Sequence, residues 1–398
     1  MILQILGALL TGIFLGVLTG LTPGIHINLI SLTIFSLSPL LLNYFSPLIL
    51  ALVIVGMAVT HTFLDTIPSI FLGAPDPSQV LTVLPGHKML MQGRGYEAVM
   101  LTVLGSLSCL VFALSLTPLL LVLIPKVYII LKNYIGYILV VITIALICKE
   151  KQSKEWALIL FFTSGVFGLI VLNSEIPNPL FPLLSGLFGI STLLISLKDK
   201  TKIPKQKISF PKTSSFEGIK VSLIATFTGA LCSFLPGLGP AQAAIIASSF
   251  TKIKQEFFLV LVGGLSTVNM VISFIALYTI NKARNGAVII ISQIIKQIDL
   301  KTLIIFLSSA IIVAATATLL AVFLTKIFSR LIPKINYRML CIIIISLITL
   351  LTLILSNLYG LIVLIISTSL GLIPSLKSVG KNHLMGCLIL PITLYFLI

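Results

Sequence analysis

The sequence predicts an all-α polytopic membrane protein, with two divergent, inverted repeats, broken or re-entrant helices and about 10–14 membrane segments. Three observations carry that prediction. Of 398 residues, 58% are hydrophobic and only 9% charged, against about a quarter charged in a soluble domain. Mean hydropathy is +1.20, and apolar runs long enough to cross a hydrocarbon core recur from end to end. Lastly, the two halves of the chain share landmarks in one order.

The apolar runs include Val99 to Ile124, Tyr134 to Cys148, Thr302 to Leu324, Met339 to Leu355 and Leu384 to Ile398. No soluble domain is large enough to see, so the expected location is the cell membrane, as a multi-pass protein. The N-terminus, MILQILGALLTG, lacks a positive n-region and a small-residue cleavage site and reads as a retained first span. Cys109, Cys148, Cys232, Cys341 and Cys387 lie in or beside apolar runs without CxxC spacing. They are expected to be buried, inert thiols.

A net charge of +16 raises the question of nucleic acid. The longest basic run, KDKTKIPKQKISFPKTSSFEGIK (198–220), holds seven lysines, two prolines and no aromatic stacking ladder. It reads as a solvated linker, cytoplasmic by the positive-inside rule. KEKQSKE (149–155) lies two spans away and belongs on the same side, while NSEIPNPLFP (173–182), without Lys or Arg, belongs outside. Such clusters orient a protein on an anionic leaflet; the expected partner is the lipid bilayer, not nucleic acid.

The basic run also divides the chain into residues 1–197, an N-terminal repeat with its linking spans, a linker at 198–217, and a C-terminal repeat at 218–398. Pro23-Gly24-Ile25 corresponds to Pro236-Gly237-Leu238. Thr60-His61 corresponds to Thr267-Val268-Asn269, and GRGYEAVM (93–100) to ARNGAVII (283–290), which pairs Arg94 with Arg284. Repeats with polar interruptions in matching spans are the signature of secondary transporters.

Each Pro-Gly has a physical consequence. Proline removes a backbone donor and clashes with the preceding turn, and glycine adds freedom, so both spans should break. Hydrocarbon cannot satisfy the released N–H and C=O groups, which must be buried in protein or line a watery cavity. Half-helices beginning after Gly24 and after Gly237 or Gly239 would aim N–H groups and dipoles at an anion. His26, Asn28 and Gln242 add side-chain donors. One such break is explained by a packing kink; two in corresponding places, each followed by polar groups, favour a site.

The second polar cluster is THTFLDTIPSIFLGAPDPSQ (60–79). His61 and Asp65 are spaced i, i+4 and share a helix face. Asp65 is the first acid in the chain, and an ionisable group inside a span is a functional candidate by default. It can hold one tautomer of His61, coordinate Na⁺ or carry a proton; a His–Asp pair that only fixes helix packing is the alternative. Pro68, Pro75 and Pro77 favour an interrupted or re-entrant stretch. In LPGHKMLMQGRGYEAV (84–99), Arg94 either pairs with Glu97 or reaches an anion, and surface loop charges are the plainer reading.

His26, His61, Asp65 and His87 could instead form the metal site of an intramembrane enzyme. Yet HExxH, paired aspartates and GxSxG are missing, as is a Walker motif for ATP-driven transport.

GVLTGLTPGIHINLIS, the block from THTFLD to RGYEAV, and GLIPSLKSVGKNHLMGCLILP (371–391) together resemble the large permease subunit of tripartite tricarboxylate transporters. The likeness covers most of the chain and is closest to the shorter archaeal branch. It implies two repeats, small carboxylates as substrates, an ion gradient as driving force, and work beside a small membrane subunit and an extracytoplasmic binding protein. The Pro-Gly segments of that family fall on Pro23, Gly24, Pro236 and Gly237, and its polar segment on residues 61–73. AVTHTFLDTIPS departs from the Tyr- and Gly-rich pattern typical of bacterial members, which leaves a phosphate-headed lipid, such as a polyprenyl phosphate, as the alternative cargo.

The expectation is therefore a secondary transporter of a small organic anion, a di- or tricarboxylate, and not an enzyme. Its site lies near the bilayer midplane among Pro23, Gly24, His26, Asn28, His61, Asp65, Arg94, Pro236, Gly237, Gly239, Gln242 and Asn269. No organic cofactor is expected; Na⁺ or H⁺ would couple through Asp65.

Overall fold

A computed structural model describes residues 2–23, 27–73, 80–131, 133–150, 153–198, 203–211, 215–234, 239–250, 253–283, 285–334 and 337–398. Among the described residues every regular element is helical. Seven helices are long and apolar enough to cross a membrane, and a bent pair adds an eighth. The protein is an all-α polytopic membrane protein, as its composition demands.

In the first half, α1 (Ile2–Leu21) precedes the short α2 (Ile27–Ser36) and α3 (Ser38–Leu41). Then come α4 (Pro47–Leu64), its continuation α5 (Thr66–Phe71), α6 (Val83–Met91) and α7 (Gly95–Ser115). The linking spans are α8 (Thr117–Leu131), α9 (Ile135–Cys148), α10 (Lys154–Leu172), α11 (Leu180–Leu184) and α12 (Ser191–Lys198), with a π-helical turn at Ser185–Ile190 before α12. The second half holds α13 (Ser215–Phe234), α14 (Pro240–Phe250), α15 (Gln255–Ile280) and α16 (Gly286–Ile294). It ends with α17 (Leu300–Leu331), α18 (Tyr337–Leu376) and α19 (Gly386–Leu397).

Two spans form the axis. In α4–α5, 83% of the membrane-length window is buried, and in α15 89%, far more than in any other span. A helix hydrophobic all round and buried all round belongs at the centre of a bundle. Helix α4 is flanked by α1 and α17, and α15 by α13 and α7. Each central helix thus takes one long neighbour from its own half and one from the other. GRGYEAVM opens a full span, α7, which packs on α15, whereas ARNGAVII leads into the nine-residue α16, which packs on α2.

Small residues let these backbones meet. Gly12, Gly16 and Gly20 make a stripe of i, i+4 spacing on α1 that lies on α4. A Cβ on Gly16 would stand 2.5 Å from Thr60 Cβ, and one on Gly20 2.8 Å from Leu64 Cβ. Where α7 meets α15, Gly105 abuts the Val260 carbonyl and Gly263 the Thr102 carbonyl, and Ser106 Oγ donates to Gly263 O at 3.0 Å.

A second bundle sits beside this core, with α10 against α19, α19 against α9, and α18 against the π-helical turn and α12. Within it α18 folds back at Asn357, whose φ of 60° and ψ of −171° leave the helical region. A Cβ on Gly360 would stand 3.3 Å from Thr352 Cγ2, whereas eight residues of continuous helix span about 12 Å. Asn178 supports the reversal: its side chain donates to Leu355 O at 3.3 Å, and its carbonyl accepts from Ser356 Oγ at 3.4 Å.

Three sequence expectations change. The run from Val99 to Ile124 is two helices, α7 and α8, divided at Leu116 just before Pro118, and α8 meets α9 at 84°. Cys148 is exposed, because it ends α9 on that helix's outer side; the other four cysteines are buried. The basic linker is docked in its middle. Lys207 N–H donates to Gly93 O at 2.8 Å, and Gln206 Oε1 accepts from Gly95 N–H at 2.8 Å, closing the start of α7. The lysine side chains at 205 and 207 stay exposed, so solvation and docking coexist.

Gly16→Val is expected to push α1 off α4 and destabilise the protein by about 1–3 kcal/mol, the usual cost of overpacking. Thermal unfolding in detergent measures this; an unchanged midpoint would contradict the contact.

Candidate functional site

The core of the site is a column of buried hydroxyls and one His–Asp pair where α1, α4–α5, α7 and α15 cross. His61 and Asp65 share a face as their spacing requires: His61 Nε2 lies 3.9 Å from Asp65 Oδ2, and both side chains are at most 2% exposed. His61 Nδ1 is 3.1 Å from Thr19 Oγ1, which fixes the ring against α1. One residue further on, Thr62 Oγ1 receives a 3.4 Å hydrogen bond from Thr267 Oγ1 of α15. Thr102 Oγ1 of α7 donates to Thr66 Oγ1 at 3.1 Å. The polar residues of both halves thus meet at the middle of the two most buried helices.

Local chemistry explains why α4 pauses here. Pro68 has no N–H to give to the carbonyl of Leu64, so one rung of the ladder is missing. Ser69 Oγ donates to Asp65 O at 2.9 Å, restoring polar contact beside the gap. Asp65 keeps α-helical dihedrals (φ −60°, ψ −22°), so α5 continues α4 and the span ends only at Phe71, ahead of Gly73 with φ +66°.

The half-helix starts are placed separately. Gly24, His26, Pro236, Gly237 and Arg284 lie outside the described residues; Pro23 ends the first described stretch, half-buried. Asn28, in the first turn of α2, lies against Gly286 at the start of α16, where a Cβ would collide with the Asn28 amide. Asn285 Oδ1 caps α16 by accepting from Ala287 N–H at 3.0 Å, so two helix N-termini converge here. In the second half Gln242 Oε1 accepts from Gly239 N–H at 3.0 Å, the backward arm of a capping box on α14. Gln242 is therefore first a cap, with only its NH₂ group retaining donor capacity. Asn269 is half-buried on α15, two residues from Thr267.

Arg94 stands apart from the column. Its guanidinium bonds Glu97 at 2.8 and 2.7 Å and Glu256 at 2.6 Å, which ties the start of α7 to the start of α15. The hydrogen bond to Glu97, then that to Glu256, raises its pKa. His87 is turned to the carbonyl of Ile70 at 3.4 Å. Among the described residues no three His, Cys, Asp or Glu side chains are grouped to hold a metal ion.

Sequence reasoning missed the hydroxyls of Thr19, Thr66 and Thr102, whose partners lie on other helices. It also missed Lys381 and His383, at most 6% exposed in the turn between α18 and α19. The i, i+4 spacing of Thr62 and Thr66 was a sequence signal for Thr66 alone; two lysines within five residues hid the second set as a loop.

Many apolar spans, broken or interrupted helices and a buried polar centre define an integral membrane transporter. The chain belongs to the tripartite tricarboxylate transporter TctA family, whose model matches residues 6–386. Members of this family work in tripartite transporters with other subunits. It is also similar to "Uncharacterized protein MJ1079" of Methanocaldococcus jannaschii, with 32% identity across 98% of each chain. No solved structure matches it.

Arg94→Ala is expected to lower stability by up to about 1 kcal/mol, since the guanidinium is a third exposed, and to leave anion affinity within about twofold. Thermal unfolding and calorimetric titration separate the two; lost affinity at unchanged stability would return Arg94 to the binding site.

Proposed function

We propose that this transporter is secondary: it moves a small di- or tricarboxylate by alternating access, driven by a Na⁺ or proton gradient. The observation that carries the reading is the 3.4 Å bond between Thr62 and Thr267 at the centre of the two most buried spans. It joins the segment bearing His61 and Asp65 to the segment bearing Asn269. An aspartate and a histidine at most 2% exposed in a membrane core cost too much to be kept for packing when leucine would pack as well. Asp65 suits coupling: a carboxylate buried in a span offers oxygen ligands of the kind hard cations take, and its Oδ2, 3.9 Å from the His61 imidazole, offers a proton path.

The carboxylate itself is assigned to the half-helix starts. The starts of α2 and α16, which meet at Asn28 and Gly286, and the start of α14 at Gly239 and Gln242 support this with their positive dipole ends and the first-turn N–H groups that the caps of Asn285 and Gln242 leave over. Backbone donors after Gly24 and Gly237 are its chief contacts in this reading. Two inverted repeats account for the exchange of α17 and α7 across the central pair. A small membrane subunit and an extracytoplasmic binding protein are the proposed partners.

Uptake of labelled citrate and succinate into proteoliposomes, with and without imposed Na⁺ and pH gradients, tests the reading. The native protein should accumulate at least one of them in a gradient-dependent way, and His61→Ala should reduce uptake by about tenfold or more. Asp65→Asn should keep exchange of substrate and lose gradient dependence; an Asp65→Asn protein that remains fully ion-coupled would overturn the role given to that residue.

A further inference from the structure

The turn between α18 and α19 carries a cation that transport through the central column does not use. Lys381 is 6% exposed. Its ammonium donates to Ser191 Oγ at 3.0 Å and to Thr192 Oγ1 at 2.8 Å. Each hydroxyl has already committed its own proton, Ser191 to Leu187 O and Thr192 to Phe188 O, both carbonyls of the π-helical turn. The two oxygens can therefore only accept, and they are neutral. Among the described residues no carboxylate stands within ion-pair distance of this ammonium. The acid nearest in the network, Glu150, accepts instead from His383 Nε2 at 3.0 Å and from Gly380 N–H at 3.2 Å.

A buried ammonium facing only neutral acceptors carries an unrepaid desolvation cost. It has three donors and two protein partners. Its setting supplies a reason to keep such a group. The next residues of the chain, Asn382 and His383, line a polar cavity of about 220 Å³ with Leu146, Lys149, Glu150 and Ser248. That volume holds about seven waters. The cavity lies on the seam between the two bundles: Lys149 and Glu150 end α9, Ser248 belongs to α14 of the core, and Lys149 Nζ donates to Ser248 O at 2.6 Å. On the other side, Leu193, next to Thr192, is the side chain that meets Gly73, where the polar segment of the first half leaves α5. Both the cavity and the cation thus adjoin elements that carry the proposed substrate site.

We infer that Lys381, seated on Ser191 and Thr192, is a second oxyanion-binding station, taking a carboxylate group of the cargo at the seam between the bundles. This rests on the carboxylate reading above. The third ammonium proton bonds the anion, the two hydroxyls hold the ammonium in place, and the bound charge offsets the buried cation.

Thermal unfolding and calorimetric titration of the purified full chain, with citrate, succinate or inorganic phosphate replacing chloride at fixed ionic strength, test the inference. Lys381→Gln keeps an N–H donor on a side chain one bond shorter and removes the charge. It should weaken binding about tenfold or more, the worth of a charged hydrogen bond, and Lys381→Arg should stay within about threefold of the native protein. Unchanged affinity in Lys381→Gln, or a native protein that binds none of the anions, would overturn the station. Binding of phosphate alone, still lost in Lys381→Gln, would keep the station and remove carboxylate as the cargo. Should Lys381→Gln fail to fold, acylation of the native protein by acetic anhydride decides: citrate should slow modification of Lys381 relative to Lys154, and equal rates would contradict it.

Discussion

A backbone N–H or C=O that loses its helical partner inside hydrocarbon has no water to turn to, and the rest of this structure depends on that constraint. Among the described residues, several interruptions carry a side chain that bonds backbone groups at or beside the break. Ser69 returns a hydroxyl to the carbonyl of Asp65 beside the gap left by Pro68. Asn178 covers the reversal of α18 with its amide and its carbonyl. Gln242 and Asn285 cap half-helices that begin inside the fold.

The polar centre exists because α4 and α15 are wrapped on all sides. Glycines on α1 and at the α7–α15 contact bring backbones close enough to seal them. Sealing makes the electrostatics strong: in a low-dielectric interior a histidine, an aspartate and their hydroxyls act on one another far more than at a surface. The ion-paired Arg94, by contrast, sits at the rim, where it fastens the starts of α7 and α15 and leaves the polar column to neutral donors and Asp65.

Much of this was legible in the residues. Hydropathy named most spans, because burial in lipid needs length and apolarity alone. The i, i+4 spacing of His61 and Asp65 placed them on one face; the hydrogen bond between Thr62 and Thr267 was not read from the sequence. What escaped was set by partners distant in sequence. Glu256 lies 162 residues from Arg94 and claims it; Ser191 lies 190 residues from Lys381 and buries it. The break at Leu116 hid inside a run taken as one span, although Ser115, Thr117 and Pro118 flank it. Gln242, read as a donor, is held by a cap that its position three residues past Gly239 did announce.

The most direct test of whether the central column is part of a path or only a packing device is its access to water. In a Cys148→Ser background, Thr267→Cys in proteoliposomes would be treated with a membrane-impermeant methanethiosulfonate reagent, with and without citrate. Alternating access through the column predicts measurable modification that citrate slows. A thiol that never reacts, or that reacts at one rate regardless of citrate, would contradict it.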